Sequence, residues 1–198
     1  MTDNSDIDAA LSEQKATVEQ FDAALAACRR VFAAKLRDYG ASWRILRPQS
    51  LTDQIYIKAN RTRSLQMKGH TLVGDGQMPE FMAIVNYGVI GIIQLRRGYS
   101  DTDDMSADEA LSLYDSIIAD TRRVMIAKNH DYDEAWRLMR VSSYTDIILQ
   151  KIFRTKQIED HCGVTEISEG VDANYQDMIN YAVFAIIKLT ESADGEQQ

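Results

Sequence analysis

The sequence predicts an all-α protein, a helical bundle of six main helices built from two three-helix repeats related by a pseudo-twofold axis. The chain repeats itself, because 17 of the 34 positions from Arg29 to Thr62 return unchanged 93 positions later, and such self-similarity marks a repeat architecture. Only 2 Pro and 10 Gly occur in 198 residues, and apolar residues recur at spacings of three and four, which favours helices. Each half is too small to bury its apolar faces alone, so we expect the halves to pack together as in a symmetric dimer.

Helix breakers and capping residues give the expected element boundaries. Pro48 is expected to keep the connector after the first helix non-helical, and Thr52 and Thr145 are predicted to cap the second helix of each half. Ser106 with Glu109 three residues later forms a capping box. The predicted helices are about 12–38, 53–68, 79–97, 106–129, 145–160 and 169–191.

Composition narrows the class of protein. A net charge of −8 without a basic stripe argues against sequence-independent binding to long nucleic acid. The two cysteines, Cys28 and Cys162, are too few for a disulfide framework. The N-terminus lacks a secretion signal, and no apolar run reaches the roughly 18 residues of a membrane span. We expect a cytoplasmic protein, either a monomer with a pseudo-dimeric core or a homodimer. The expected organisation is one compact domain with a flexible N-terminus at 1–12, a first half at 13–98, a linker at 99–105, a second half at 106–191 and a flexible tail at 192–198.

The positions that the two copies share are largely charged, aromatic or amide residues. A duplication that preserved only the fold would keep apolar positions and let polar ones drift. Recent duplication is the alternative, but Phe32 has become Met125 and Ala59 has become Ile152. The retained polar residues therefore indicate binding or catalysis. The clearest block is Lys128, Asp131, Tyr132 and Trp136, which repeats Lys35, Asp38, Tyr39 and Trp43.

An acidic stripe marks the last predicted helix. Its members fall within an arc of roughly 140° at the α-helical turn angle, and oxygen ligands of this kind suit Mg²⁺ or Mn²⁺. A solvated acidic face is the alternative, although Asp177 lies among apolar residues and is expected to have a partner. The stripe consists of Glu169, Asp172, Asp177 and Asn180, and the first half has Asp75, Met78, Ala83 and Asn86 instead. One acidic site is therefore expected.

Basic and aromatic residues supply the second part of the pattern. Lys and Arg on one helix stripe suit phosphate oxygens, and surface ion pairs with Asp53 and Asp146 are the alternative. The basic residues are Lys58 and Arg61, repeated as Lys151 and Arg154. Trp43 and Trp136 could stack a base, but we interpret them as core anchors for the connectors.

Three motifs in order resemble a known family, the nucleotide modification associated domain, formerly a domain of unknown function. They are Lys128-x-x-Asp131-Tyr132-x-x-x-Trp136, Lys151-x-x-Arg154 and Glu169-x7-Asp177-x-x-Asn180-Tyr181. The chain resembles a tandem of this domain over about residues 26–97 and 119–190, which implies nucleotide binding or processing. The pattern departs at Ala173, where the family has Asp, and in the first copy at Met78 and Ala83. A looser similarity of architecture links the chain to the all-α nucleoside triphosphate pyrophosphatases of the MazG and dimeric dUTPase type.

The leading hypothesis is a Mg²⁺- or Mn²⁺-dependent nucleoside triphosphate pyrophosphohydrolase acting on normal or modified nucleotides. The expected metal ligands are Glu169, Asp172 and Asp177, and the expected catalytic residues are Asp131, Glu169 and Asp177. The expected substrate-binding residues are Lys58, Arg61, Asn86, Lys128, Tyr132, Lys151, Arg154, Asn180 and Tyr181. A composite site would combine basic residues from both halves, and Ala83→Asp is not expected to create a second one. The alternative is a non-catalytic nucleotide-sensing or protein-interaction module.

Overall fold

The computed structural model describes residues 14–72, 74–161 and 170–195. It contains six α-helices and, within the described ranges, no β-strand, which confirms the all-α prediction. A short 3₁₀ helix follows the first helix of each half, at Ser42–Ile45 and Ala135–Leu138. The α-helices are α1 Lys15–Tyr39, α2 Pro48–Lys68, α3 Met78–Arg97, α4 Ala107–Asp131, α5 Val141–Asp160 and α6 Val171–Gly195.

Helices α3 and α6, the third helix of each half, pack against each other at the centre of the bundle. Helix α2 packs on α3, α5 packs on α6, and α2 also meets α5 across the pseudo-twofold axis. Two glycines show how close the central contact is. A Cβ at Gly88 would lie 2.7 Å from Ile179 Cγ1, and one at Gly91 would lie 2.8 Å from the Tyr175 ring. The two halves therefore share one apolar core.

Matched ion pairs join α2 of the first half to α5 of the second. Lys156 Nζ lies 2.6 Å from Asp53 Oδ1, and Arg63 Nε lies 3.6 Å from Asp146 Oδ1. Arg63 and Lys156 occupy the same place in the repeat, as do Asp53 and Asp146. Asp53 and Asp146 therefore pair with Lys156 and Arg63 and not with the basic residues singled out in the sequence, and the pairing follows the pseudo-twofold axis.

Two helices begin earlier than the sequence indicated. Pro48 is the first residue of α2 rather than a barrier to it, because the first helical position needs no N–H donor. Thr52 is therefore inside α2, where its hydroxyl contacts Glu159 and Tyr175. Helix α5 likewise begins at Val141, so Thr145 is not a cap.

The helix starting after Ser106 agrees with the sequence, since Ser106 Oγ accepts a hydrogen bond from the Glu109 backbone N–H at 3.2 Å. Helix α6 continues past Glu191 to Gly195. The predicted flexible N-terminus at 1–12 lies outside the described residues, as do Cys162 and the last three residues of the predicted tail.

Within the described part of the chain, α3 alone is long and apolar enough to cross a membrane by length and composition, with a mean hydropathy of 1.4 over its best window. Most of that window, 61%, is buried inside the protein. Core helices of soluble proteins pass the same test, and the burial of α3 against α2 and α6 is that of a core helix. Cytoplasmic localisation stays a prediction.

Candidate functional site

Each half encloses a cavity at the same place in the repeat. The first-half cavity, between α1, α2 and α3, has a volume of about 610 Å³. The second-half cavity, between α4, α5 and α6, has a volume of about 400 Å³. The second-half cavity is lined by Lys128, Tyr132, Trp136, Lys151, Asn180 and Tyr181, and the first-half cavity by their counterparts Lys35, Tyr39, Trp43, Lys58, Asn86 and Tyr87. The polar and aromatic residues that the duplication retained therefore converge on cavities.

Asp177 is the carboxylate of the second-half cavity and is only 7% exposed. Lys128 Nζ lies 2.7 Å from its Oδ1, and Lys151 Nζ lies 2.5 Å from its Oδ2. Burial acts to raise the pKa of Asp177, but hydrogen bonds and charges from the two ammonium groups outweigh it and leave the pKa below its usual value. The expected partner of Asp177 is thus a pair of lysines, which hold it ionised.

Asn180 lines this cavity and has an unpaired acceptor atom. Its buried Oδ1 has no hydrogen-bond partner among the described residues. In the first half, Asn86 donates to the Cys28 carbonyl at 3.2 Å and accepts from the Tyr114 hydroxyl at 2.8 Å. The repeat position of Tyr114 is occupied by Phe21 in the other half, which has no hydroxyl to donate. Asn180 Oδ1 therefore lacks the hydroxyl donor that its counterpart Asn86 has.

Both tryptophans are core anchors that also form cavity walls. The Trp136 ring stacks on Phe184 at 4.5 Å between centroids, and the Arg137 guanidinium lies 4.4 Å from its centroid. The ring faces are thus covered by protein, which favours the anchor interpretation over base stacking. In the part of the chain that the structure describes, Nε1 of Trp43 and Nε1 of Trp136 are buried and unpaired, which is costly without a ligand or water.

A tyrosine pair borders each cavity. Tyr132 is 71% exposed and Tyr39 is 53% exposed, although both lie against a cavity. Burial raises the pKa of Tyr181, and the neighbouring Asp177 charge adds to the rise. Tyr39 and Tyr132 thus place an exposed aromatic ring at the edge of each cavity.

The first-half cavity has its own carboxylate, contrary to the expectation of a single acidic site. Glu80 is 5% exposed, lies 3.3 Å from Lys58 Nζ and 2.5 Å from Arg61 Nη1, and replaces Asn174 of the other half. Lys58 and Arg61 are therefore held in the first half. The described residues do not form a composite cleft, since Lys58 meets Glu80 and Lys151 meets Asp177, each within its own half.

Three predicted site residues lie away from the second-half cavity. Asp131 is exposed at the end of α4, with its Oδ1 3.3 Å from His130 Nδ1. Arg154 on α5 and Asp172 in the first turn of α6 are also exposed. None of the three is among the cavity-lining residues. Glu169, predicted as a metal ligand and catalytic residue, falls outside the described residues.

The described residues do not by themselves fit a divalent cation. Across residues 14–72, 74–161 and 170–195, no group of three His, Cys, Asp or Glu side chains is placed to hold a metal ion. Both oxygens of Asp177 are engaged by lysines. A Mg²⁺ or Mn²⁺ site on Asp177 would need further ligands, and it stays a prediction.

The fold and its cavities define a class of protein, an all-α tandem repeat with one polar, aromatic-rimmed cavity in each half. The sequence model of the family described as nucleotide modification associated domain 1 matches the chain twice, at residues 35–95 and 128–189. The matches cover more than half of the chain, which therefore belongs to this family. No match was found among curated proteins or among solved structures. The looser similarity to MazG-type pyrophosphatases is not confirmed.

Proposed function

We propose that the protein binds a nucleotide in the second-half cavity. The observation that carries this proposal is the convergence of the retained residues Lys128, Tyr132, Lys151 and Asn180 on one cavity of about 400 Å³. That volume lies in the range of small-molecule sites, where a few polar groups fix the orientation of a ligand between apolar walls. Membership of a nucleotide modification associated family supports the choice of ligand.

The charges of the cavity suit a phosphate group. Lys128 and Lys151 place two ammonium groups beside one carboxylate, and ammonium groups bind phosphate oxygens as point charges. Asp177 also fixes the lysines in position, which lowers the entropy that binding would otherwise cost. In this proposal Asn180 Oδ1 accepts a hydrogen bond from an N–H of the base, and the exposed Tyr132 ring stacks over the base.

Thermal melting and isothermal titration with a panel of normal and modified deoxynucleotides test the proposal. A ligand that binds only the folded form raises its melting temperature. Lys151→Gln should abolish the rise, since it removes the most buried cation of the cavity. Lys156→Gln is the matched control, because Lys156 lies on the same helix but pairs with Asp53 outside the cavity. No melting shift with any nucleotide would reject the proposal.

Metal-dependent hydrolysis of nucleoside triphosphates is the second candidate. One observation favours it, since Asp177 is a buried carboxylate held ionised in the wall of the cavity. Phosphate and pyrophosphate release should be measured with Mg²⁺ or Mn²⁺ in the native protein, Asp177→Ala and Asp177→Asn. Nucleotide binding without release above the Asp177→Ala background would leave a sensing module as the function.

A further inference from the structure

We infer that the first-half cavity is a second binding site, for a phosphorylated small molecule different from the ligand of the second-half cavity, with Lys35 as its phosphate-binding residue. The inference goes beyond the proposed function, which concerns the second half alone. It rests on the differences between two cavities that otherwise share their lining positions.

The first difference is the ammonium group of Lys35. Its counterpart Lys128 is paired with Asp177, but the repeat position of Asp177 holds Ala83 in the first half. Lys35 lines the cavity, is exposed, and forms no ion pair with the residues that the structure describes. An ammonium group without a competing carboxylate is better placed to take a phosphate oxygen than one already neutralised.

The second difference is the location of the buried carboxylate. Glu80 holds Lys58 and Arg61 on the α2 side of the cavity, while Lys35 belongs to α1. Asp75 also lines the cavity, but it is exposed. The cations of the α2 wall therefore share a buried carboxylate, whereas Lys35 on the α1 wall has no ion-pair partner among the described residues, and the anionic end of a ligand would be directed to Lys35.

The third difference concerns size and polar recognition. Ala83 and Ile90 replace Asp177 and Phe184, and the cavity is larger, at about 610 Å³ against about 400 Å³. Asn86 is committed to Cys28 and Tyr114 and offers no open acceptor.

Two other buried polar side chains line this cavity, Glu80 and Trp43. Trp43 Nε1 has no hydrogen-bond partner among the described residues, as is also true of Trp136 Nε1 in the second half, so an indole N–H is common to both cavities. Glu80 is not common to both, because its repeat position is Asn174, and its Oε2 lies 3.3 Å from Lys58 Nζ. The first-half cavity therefore offers a charged acceptor on its α2 side in place of the Asn180 amide.

The two tryptophans make the cavities separately observable. The chain has 2 Trp, and Trp43 lines the first-half cavity while Trp136 lines the second. Trp136→Phe thus leaves Trp43 fluorescence to report the first-half cavity, and Trp43→Phe leaves Trp136 to report the second. The probes are the four deoxynucleoside 5′-monophosphates, their nucleosides and inorganic pyrophosphate.

In the Trp136→Phe protein, a monophosphate should change Trp43 emission saturably, while its nucleoside binds at least about tenfold more weakly, the equivalent of about 1.4 kcal/mol. Adding Lys35→Gln should remove that difference. Ala83→Asp should have the same effect, because Ala83 lines the cavity with Lys35 and Lys58, and a new carboxylate there would pair with them as Asp177 does in the other half. Arg37→Gln is the matched control, since Arg37 is exposed on the same helix and does not line the cavity.

Isothermal titration of the otherwise native protein keeps the test valid if a tryptophan variant folds poorly, since Lys35→Gln should remove one of two binding events. The inference is overturned if no probe changes Trp43 emission, if Lys35→Gln and Ala83→Asp leave affinity unchanged, or if both cavities rank the probes identically. Failure of the proposed function would appear instead as an unresponsive Trp136 in the Trp43→Phe protein.

Discussion

At the scale of single residues, Asp177 links the stability of the protein to the geometry of its cavity. Asp177→Asn keeps the shape but removes the carboxylate that Lys128 and Lys151 share. We expect a loss of about 1–3 kcal/mol in the free energy of unfolding at neutral pH, below the full value for a buried pair because Lys128 is half exposed. Urea denaturation measures it. Asp53→Asn, which breaks an exposed pair, should cost less than about 1 kcal/mol, and equal losses would contradict the expectation.

The sign of the pH dependence follows from the lowered pKa of Asp177. The folded state holds the carboxylate ionised more strongly than the unfolded chain, so its contribution is present above the unfolded pKa, about 3.9. It is lost as the pH falls through the lower folded pKa. The difference in stability between the native protein and Asp177→Asn should therefore shrink on acidification, and a constant difference would show that the charge is not its source.

Glu159 has the opposite shift, because burial raises its pKa. Its Oε1 accepts from Thr52 Oγ1 at 2.8 Å, and in the matching contact Gln66 Nε2 donates to Thr145 Oγ1 at 3.0 Å. A raised folded pKa means that stability falls as the pH rises from about 4.3 through the folded value. Glu159→Gln should abolish this fall in stability and should be at least as stable as the native protein at pH 7. Melting temperatures of both proteins, measured from about pH 4 to pH 7, test this. A less stable variant would show that the ionised carboxylate is favourable.

At the scale of helices, the contact between α3 and α6 depends on glycine. Gly91→Ala places a methyl group 2.8 Å from the fully buried Tyr175 ring. Overpacking should lower the free energy of unfolding by about 1–3 kcal/mol. We expect this loss to exceed the gain of about 1 kcal/mol from the higher helix propensity of Ala, so that the variant is less stable. Gly195→Ala is the control, because nothing lies within 4 Å of a Cβ there. Denaturation curves in which both variants behave alike would refute a close central contact.

Helix positions were predictable because apolar spacing records them, whereas two boundaries were not. Pro48 looked like a break in sequence, and only the observed start of α2 shows it as a first-turn residue. The cavity-lining positions of Lys128, Lys151 and Asn180 were predictable because the duplication retained these residues. Glu80 was missed because an acid in the first turn of a helix is explained by the helix dipole alone. Its role depends on how α3 packs against α2, which repeat spacing does not encode.

At the scale of the molecule, the shared core predicts that the halves unfold together. Helices α3 and α6 each cover the apolar face of the other, so neither half retains a complete core alone. Urea unfolding can be followed by Trp43 fluorescence in the Trp136→Phe protein and by Trp136 fluorescence in the Trp43→Phe protein. In each variant the fluorescence transition should coincide with the transition measured by circular dichroism. A tryptophan transition displaced from the circular dichroism transition of the same variant would show that one half opens first.

The different carboxylates, Glu80 on α3 and Asp177 on α6, have a consequence for symmetry itself. A single copy of the repeat that paired with itself about a true twofold axis would hold two identical cavities, and any substitution would alter both. Covalent fusion removes that constraint, because each copy can then change its specificity while the shared core still requires the other. Among the described residues of this chain, each copy has one buried acid, at repeat positions three residues apart, a difference that a homodimer cannot have.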